Sequence, residues 1–107
     1  VNPALLHNVI EGNIVQATSR SLWEEVRFDK QKVTSVDWQT YTILDITEAP
    51  EKIDIVLLDH PEHPPTGAGE PSSRPVAGAI ANAIFDATGV RIRRAPFRPE
   101  ALKGSFA

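Results

Sequence analysis

Two runs of helical periodicity, flanking several short β-branched segments, predict an α+β fold: two amphipathic helices packed on a small, mostly antiparallel sheet. The first helix is read from Asn2-Pro3, a capping side chain followed by proline in the first turn, and from Leu6, Ile10, Ile14 and Ala17 at helical steps. The second is read from Val76, Ile80, Ala83, Ile84 and Ala87 on one face, with Ser73 as its cap and Gly89 as its stop. The sheet is read from three places. Residues 22–28 and 32–36 form a hairpin around Asp29-Lys30-Gln31, with Trp23, Val26 and Phe28 on its buried face. Residues 53–58 are a short β-branched strand, and residues 90–92 a closing one.

Between these elements the reading is less determinate. Residues 41–46 suit a short strand or a turn of helix, and Ala49-Pro50 stops them. Gly12 interrupts the first helical stripe; a mid-helix glycine costs about 1 kcal/mol relative to alanine and marks close approach by a packing partner or a ligand. Residues 59–74 hold Pro61, Pro64, Pro65, Pro71, Gly67 and Gly69 and read as a loop. A loop of that length is functional or disordered more often than it is a plain connection. Residues 98–107 read as a surface tail, with a short helical turn at 99–102.

The chain has 107 residues, 41% hydrophobic and 23% charged, which fits one domain or part of one. A chain of this size buries a core but does not easily enclose a large cofactor and a substrate pocket as well. A net charge of −3 argues against a dedicated nucleic-acid binder, which needs a basic face. With no cysteine, disulfides, thiolate zinc sites and iron–sulfur ligation are excluded within this segment, though the compartment is left open. No apolar run approaches a membrane span, and no signal-peptide pattern is present. The absence of methionine, with Val1 first, leads to the expectation of a piece processed or cut from a longer protein.

Gly67-Ala68-Gly69-Glu70-Pro71-Ser72-Ser73 is the segment richest in possible chemistry. Two glycines let the backbone come close to a ligand. Two serines follow at a helix start, where free N–H groups favour anionic or oxygen-rich ligands. One carboxylate sits between them. The plainer reading is a capped helix start after an exposed loop, with Glu70 stabilising the N-terminus.

The same residues carry a family resemblance. Gly67-Ala68-Gly69-Glu70-Pro71, then Pro75-Val76-Ala77-Gly78-Ala79-Ile80-Ala81-Asn82-Ala83-Ile84, then Thr88-Gly89-Val90-Arg91-Ile92-Arg93 resemble the end of the large subunit of xanthine-oxidase-type molybdenum hydroxylases. The branch they look most like holds isoquinoline 1-oxidoreductase and membrane-associated aldehyde dehydrogenase. Upstream, Val1-Asn2-Pro3, Glu11-Gly12, Ile14-Val15-Gln16, Leu22-Trp23-Glu24-Glu25, Tyr41 and Glu48-Ala49-Pro50 follow the same family's pattern in the same order. Val9 stands where the pattern has Gln, and Asn13 and Ala17 where it has glycine.

The resemblance implies that residues 1–107 are the C-terminal segment of a larger molybdopterin-binding domain, with residues 59–74 as its active-site loop. It implies hydroxylation of an N-heterocycle, or oxidation of an aldehyde, with oxygen from water and Glu70 as general base. A carboxylate serves that role when ionised and within hydrogen-bond reach of the oxygen it deprotonates. It further implies molybdopterin, in its cytosine dinucleotide form, with molybdenum held by the cofactor rather than by a protein ligand. Gly69, Ser72 and Ser73 would lie by the pterin, and Glu11, Gly12 and Gln16 by the dinucleotide. Implied partners are the rest of the large subunit, a small iron–sulfur subunit with 2Fe-2S clusters and, in some relatives, a cytochrome c subunit; the implied home is periplasmic or membrane-associated, with the cytoplasm open. The segment alone would be inactive.

Other groupings point elsewhere or nowhere. His60 and His63 with Asp59 and Glu62 sit among prolines, on an irregular loop rather than a helical face suited to zinc. Arg91, Arg93 and Arg94 read as a solvated strand end, or as partners of Asp86. Trp23, Trp38, Tyr41 and Phe85 read as core or subunit contacts. Two other functions stay open on the residues alone: a non-catalytic interaction domain of the same fold, and an anion- or nucleotide-binding module built on Ser72-Ser73.

Overall fold

The computed structural model describes residues 2–104; Val1 and the last three residues of the tail lie outside them. In chain order the elements are α1 (Pro3–Leu22), a 3₁₀ turn (Ile46–Glu48), α2 (Gly69–Ser73), α3 (Val76–Thr88) and α4 (Pro99–Lys103). Both α2 and α3 lie against α1, so the chain is organised around one long helix.

The start of α1 follows the cap predicted for it. Asn2 Oδ1 accepts hydrogen bonds from the N–H groups of Ala4 and Leu5 at 3.0 and 3.2 Å, two of the donors a helix start leaves unpaired. Leu6, Ile10 and Ile14 are half-buried and Ala17 is buried, as their spacing requires. The C-terminal half of α1 is the most enclosed part of the molecule, and its buried residues are mostly small and polar: Thr18, Ser19 and Ser21. Their hydroxyls are satisfied locally and across the fold. Thr18 Oγ1 donates to Ile14 O at 2.8 Å and Ser21 Oγ to Ala17 O at 2.7 Å. Ser19 Oγ accepts from Leu44 N at 3.0 Å. Phe97 N donates to Ser21 O, and Arg98 Nη2 to Trp23 O, both at 2.7 Å. The end of α1 thereby ties down both the middle of the chain and its C-terminal part.

The expected sheet is not formed, and the fold class is corrected accordingly: the described residues are helical, with no strand and no sheet. Of the hairpin, only one antiparallel bridge remains, between Phe28 and Val33. The turn itself is as read, with Asp29 Oδ1 accepting from Gln31 N at 2.7 Å and Lys32 N at 3.0 Å. Leu22 belongs to α1, and Val26 and Phe28 are 58% and 75% exposed rather than buried. A two-stranded hairpin is marginal without a third strand or a covering face, and this chain supplies neither. Residues 53–58 and 90–92 run without ladder partners for the same reason.

Three smaller readings also shift. Residues 41–46 lead into the 3₁₀ turn, capped by Asp45 through Thr47 N at 2.9 Å. Ser73 does not cap the second long helix; it ends α2, and α3 starts after Pro75 with no side-chain cap. The end of the predicted 59–74 loop, from Gly69 to Ser73, is helical, with Arg74 at its cap. Gly89 does stop α3, in the left-handed conformation at φ 72° with its N–H bonded to Phe85 O. A side chain in that conformation is strained by about 1 kcal/mol or more, and asparagine by less. Gly89→Ala is therefore expected to lower the unfolding free energy in urea by about 1 kcal/mol, and Gly89→Asn by a smaller amount.

Candidate functional site

The glycine turn that carries Glu70 is seated directly on α1. A Cβ built on Gly69 would lie 3.4 Å from Asn13 Nδ2 and 3.7 Å from Val9 Cγ1. Asn13 Nδ2 also donates to Val9 O at 2.8 Å, which fixes its amide along the helix. The two residues form the surface on which the α2 backbone rests, and a Cβ at Gly69 would make van der Waals contact with both. Sequence reasoning does not mark Val9 or Asn13 as functional; both stand out there only as departures from a family pattern. Their i, i+4 spacing, which places them on one helix face, is the signal that could have found them.

Within α2 the chain closes on itself. Ser72 Oγ donates to Gly69 O at 2.6 Å, and Ser73 Oγ to Glu70 O at 2.9 Å. The hydroxyl protons are spent on the turn, leaving the oxygen lone pairs to accept from outside. With five residues, α2 is too short for its dipole to make an anion site. Glu70 is exposed, and among the described residues its carboxylate has no hydrogen-bond or ion-pair partner. An acidic group left uncommitted at the rim of a helix contact is free to act on something outside this chain.

The α1 residues expected at the cofactor divide by geometry. At about 100° per residue, Gly12 and Gln16 share the face of Val9 and Asn13, whereas Glu11 lies roughly on the opposite side. All three are exposed, and a Cβ at Gly12 would meet nothing within 4 Å. Gly12 is thus not explained by packing within this chain. An open groove of about 820 Å³ runs beside the same helix, between Leu6 and Ile10 of α1 and the segment from Leu57 to Ala68, ending just before Glu70.

The remaining candidates resolve into local contacts. His60 Nδ1 lies 2.9 Å from Glu62 Oε1 on an exposed loop, and no group of three or more His, Asp or Glu side chains among the described residues is arranged to hold a metal ion. Arg91 does not pair with Asp86: its Nη1 donates to Asn82 Oδ1 at 2.7 Å, and its guanidinium lies 4.0 Å from the centre of the Phe85 ring. Arg94 faces Glu25 at 4.0 Å. Trp38 is 80% exposed, so it is not part of a core within this chain.

The chain is thus a helical piece that presents one free carboxylate on a glycine turn. No family model matches it. It is 46% identical over 106 residues to a subunit of the nicotinate dehydrogenase of Pseudomonas putida, covering 99% of this chain and 9% of that protein. It is 40% identical over 95 residues to a membrane-bound aldehyde dehydrogenase of Gluconacetobacter polyoxogenes, whose name specifies pyrroloquinoline quinone, covering 88% of this chain and 12% of that one. Its fold matches the crystal structure of quinoline 2-oxidoreductase from Pseudomonas putida 86 with a TM-score of 0.79 and 26% identity, over 98% of this chain and 14% of that one. The chain thus spans about a tenth of the length of the curated relatives it matches. Over nearly its whole length the chain is thus similar to a small part of larger oxidoreductases, and its fold matches part of quinoline 2-oxidoreductase, a molybdenum hydroxylase.

Tyr41, one of the residues in the family pattern, fastens the middle of the chain to the end of α1. Its hydroxyl donates to Glu24 Oε2 at 2.7 Å. That bond, followed by burial, pushes the phenol above its ordinary value of 10.0. A raised phenol favours the neutral form in the folded state, so its stabilisation is complete below the unfolded value and is lost as pH rises through the folded one. An ultraviolet absorbance titration should place Tyr41 above a free tyrosine, and Glu24→Gln should bring it down.

Proposed function

We propose that this chain is the C-terminal catalytic segment of a molybdenum-cofactor oxidoreductase that hydroxylates an N-heterocycle or oxidises an aldehyde with oxygen derived from water. The observation that carries this reading is the uncommitted Glu70 carboxylate on a Gly-x-Gly turn seated on α1, in a chain nearly half identical to part of a dehydrogenase. Its relatives are dehydrogenases and an oxidoreductase of nitrogen heterocycles and aldehydes by their names.

The residues present suit a molybdopterin cofactor. Gly12 offers a bare stretch of helix with open space above it, which a bulky dinucleotide can approach closely. Gln16 stands on the same face with both amide functions available. Ser72 and Ser73 keep acceptor lone pairs for the pterin edge. When bound, the molybdenum centre supplies the oxidising chemistry. The contribution of this chain is to hold Glu70 where its carboxylate takes the proton from the attacking water-derived oxygen, a role that requires hydrogen-bond reach. The seat of Gly69 on Val9 and Asn13 fixes the position from which that carboxylate works.

In the same reading the cofactor is the cytosine dinucleotide form, electrons leave through a small iron–sulfur subunit with 2Fe-2S clusters and on some routes a cytochrome c subunit, and the enzyme is periplasmic or membrane-associated. One relative is membrane-bound by name, while no helix among the described residues is long and apolar enough to cross a membrane.

The test is Glu70→Gln in the full-length enzyme. Molybdenum content, measured on the purified protein, should be retained while turnover falls by roughly 10²- to 10⁴-fold, the range a general base contributes. Unchanged turnover with full metal content would remove Glu70 from the reaction. A full-length protein containing no molybdenum would remove the cofactor assignment itself.

A further inference from the structure

Arg74 stands beside Glu70 and is equally uncommitted. The helical backbone of α2 runs on into it, at φ −58° and ψ −44°, and its N–H bonds to Glu70 O at 3.3 Å. The two residues are four apart on one turn of helix and so share a face. Counted at about 100° per residue from Gly69, which faces α1, Glu70 lies at about 100° and Arg74 at about 140°. Both side chains leave the turn on the same side, away from Val9 and Asn13. Both are exposed, and the Arg74 guanidinium has no hydrogen-bond or ion-pair partner among the described residues. Glutamate four residues before arginine is the order in which such pairs attract best, yet these two form no ion pair. Other arginines of the chain are engaged: Arg91 by Asn82 and Phe85, Arg94 by Glu25, and Arg98 by Trp23 O.

We propose that Arg74 holds a carboxylate of the substrate, so that the molecule taken at this site is a small planar acid: an N-heterocycle or an aromatic aldehyde that carries a carboxylate elsewhere on its ring. A guanidinium is planar and always charged, and it grips a carboxylate through two parallel N–H···O bonds. Such a grip fixes orientation as well as position, and a base that works at hydrogen-bond reach needs both. The Cβ atoms of an i, i+4 pair are about 5–6 Å apart, so two long side chains can hold opposite edges of one small ring. Arg74 takes the acidic group, and Glu70 stands at the carbon that receives the oxygen. A neutral substrate would leave Arg74 merely solvated. The inference rests on the reading of Glu70 as the base, but its test reads binding, so either can fail without the other.

Titration calorimetry on the full-length protein tests it. The probes are the pyridine monocarboxylates, the formylbenzoates and the carboxamide of each, and the first two sets separate heterocycle from aldehyde. At least one carboxylate should bind roughly 10- to 100-fold more tightly than its carboxamide, the range of a charge-assisted hydrogen bond. Arg74→Gln should bring the two affinities together, and Arg74→Lys should keep part of the difference. Molybdenum content should match the unsubstituted protein in both. If Arg74→Gln does not fold, the comparison in the unsubstituted protein and in Arg74→Lys decides. Glu70→Gln should leave the carboxylate's advantage in place; turnover that persists in that variant removes the base assignment and leaves the carboxylate site standing. A carboxylate that binds no better than its carboxamide, a difference that survives Arg74→Gln, or loss of molybdenum from that variant would each overturn the proposal.

Discussion

The close approach of Gly69 to α1 is the contact from which the proposed site follows. A Cβ at that position would lie 3.4 Å from Asn13 Nδ2, at van der Waals contact, so the α2 backbone rests against α1. Asn13 cannot easily swing away, because its amide is bonded to Val9 O. Glu70 therefore leaves the turn from a defined place on the rim of α1. The rest of α2 reinforces this, since both serine hydroxyls close back on the turn instead of reaching outward.

The helices are legible in the sequence because their signals are local. Asn2-Pro3 and the Leu6, Ile10, Ile14, Ala17 stripe mark α1, and Gly89 marks the end of α3. The α4 turn is legible from Pro99, and the position of Glu70 from its glycine turn. The sheet is not a property of this chain, because β-patterning reports what a segment can pair with, not whether the partner is present. Phe28 and Val33 make their bridge, and residues 53–58 keep a strand's alternation, yet neither finds a third strand here. The hub at Ser19 and Ser21 is silent in the sequence because small polar residues carry no hydrophobic period. Its trace is the run Ala17-Thr18-Ser19, then Ser21, where the absence of bulk lets other segments approach. Ser73 belongs one element earlier than its spacing suggests: its hydroxyl serves α2, not the start of α3.

Burial explains why so much is left open. Among the described residues Ala17 and Val76 are the buried apolar side chains, while Trp38, Ile46, Val56 and Phe28 stand largely exposed. Exposed apolar surface on that scale marks contact with other protein, and relatives about ten times as long supply a ready source of it. The same logic applies to Gly12, bare on an exposed helix face with nothing from this chain above it.

The seat of the Glu70 turn on α1 is the claim on which the functional reading turns, and disulfide trapping measures it directly. This chain has no cysteine, and Gly69 has no left-handed backbone to forbid a side chain. A Gly69 Cβ lies 3.7 Å from Val9 Cγ1, the atom whose place a cysteine sulfur would take, so the two positions are near enough to cross-link. In the full-length protein, Val9→Cys combined with Gly69→Cys should cross-link under mild oxidation, seen by peptide mapping. Two freely alkylated thiols under the same conditions, in a protein that is otherwise folded, would mean that α2 does not rest on α1 as described.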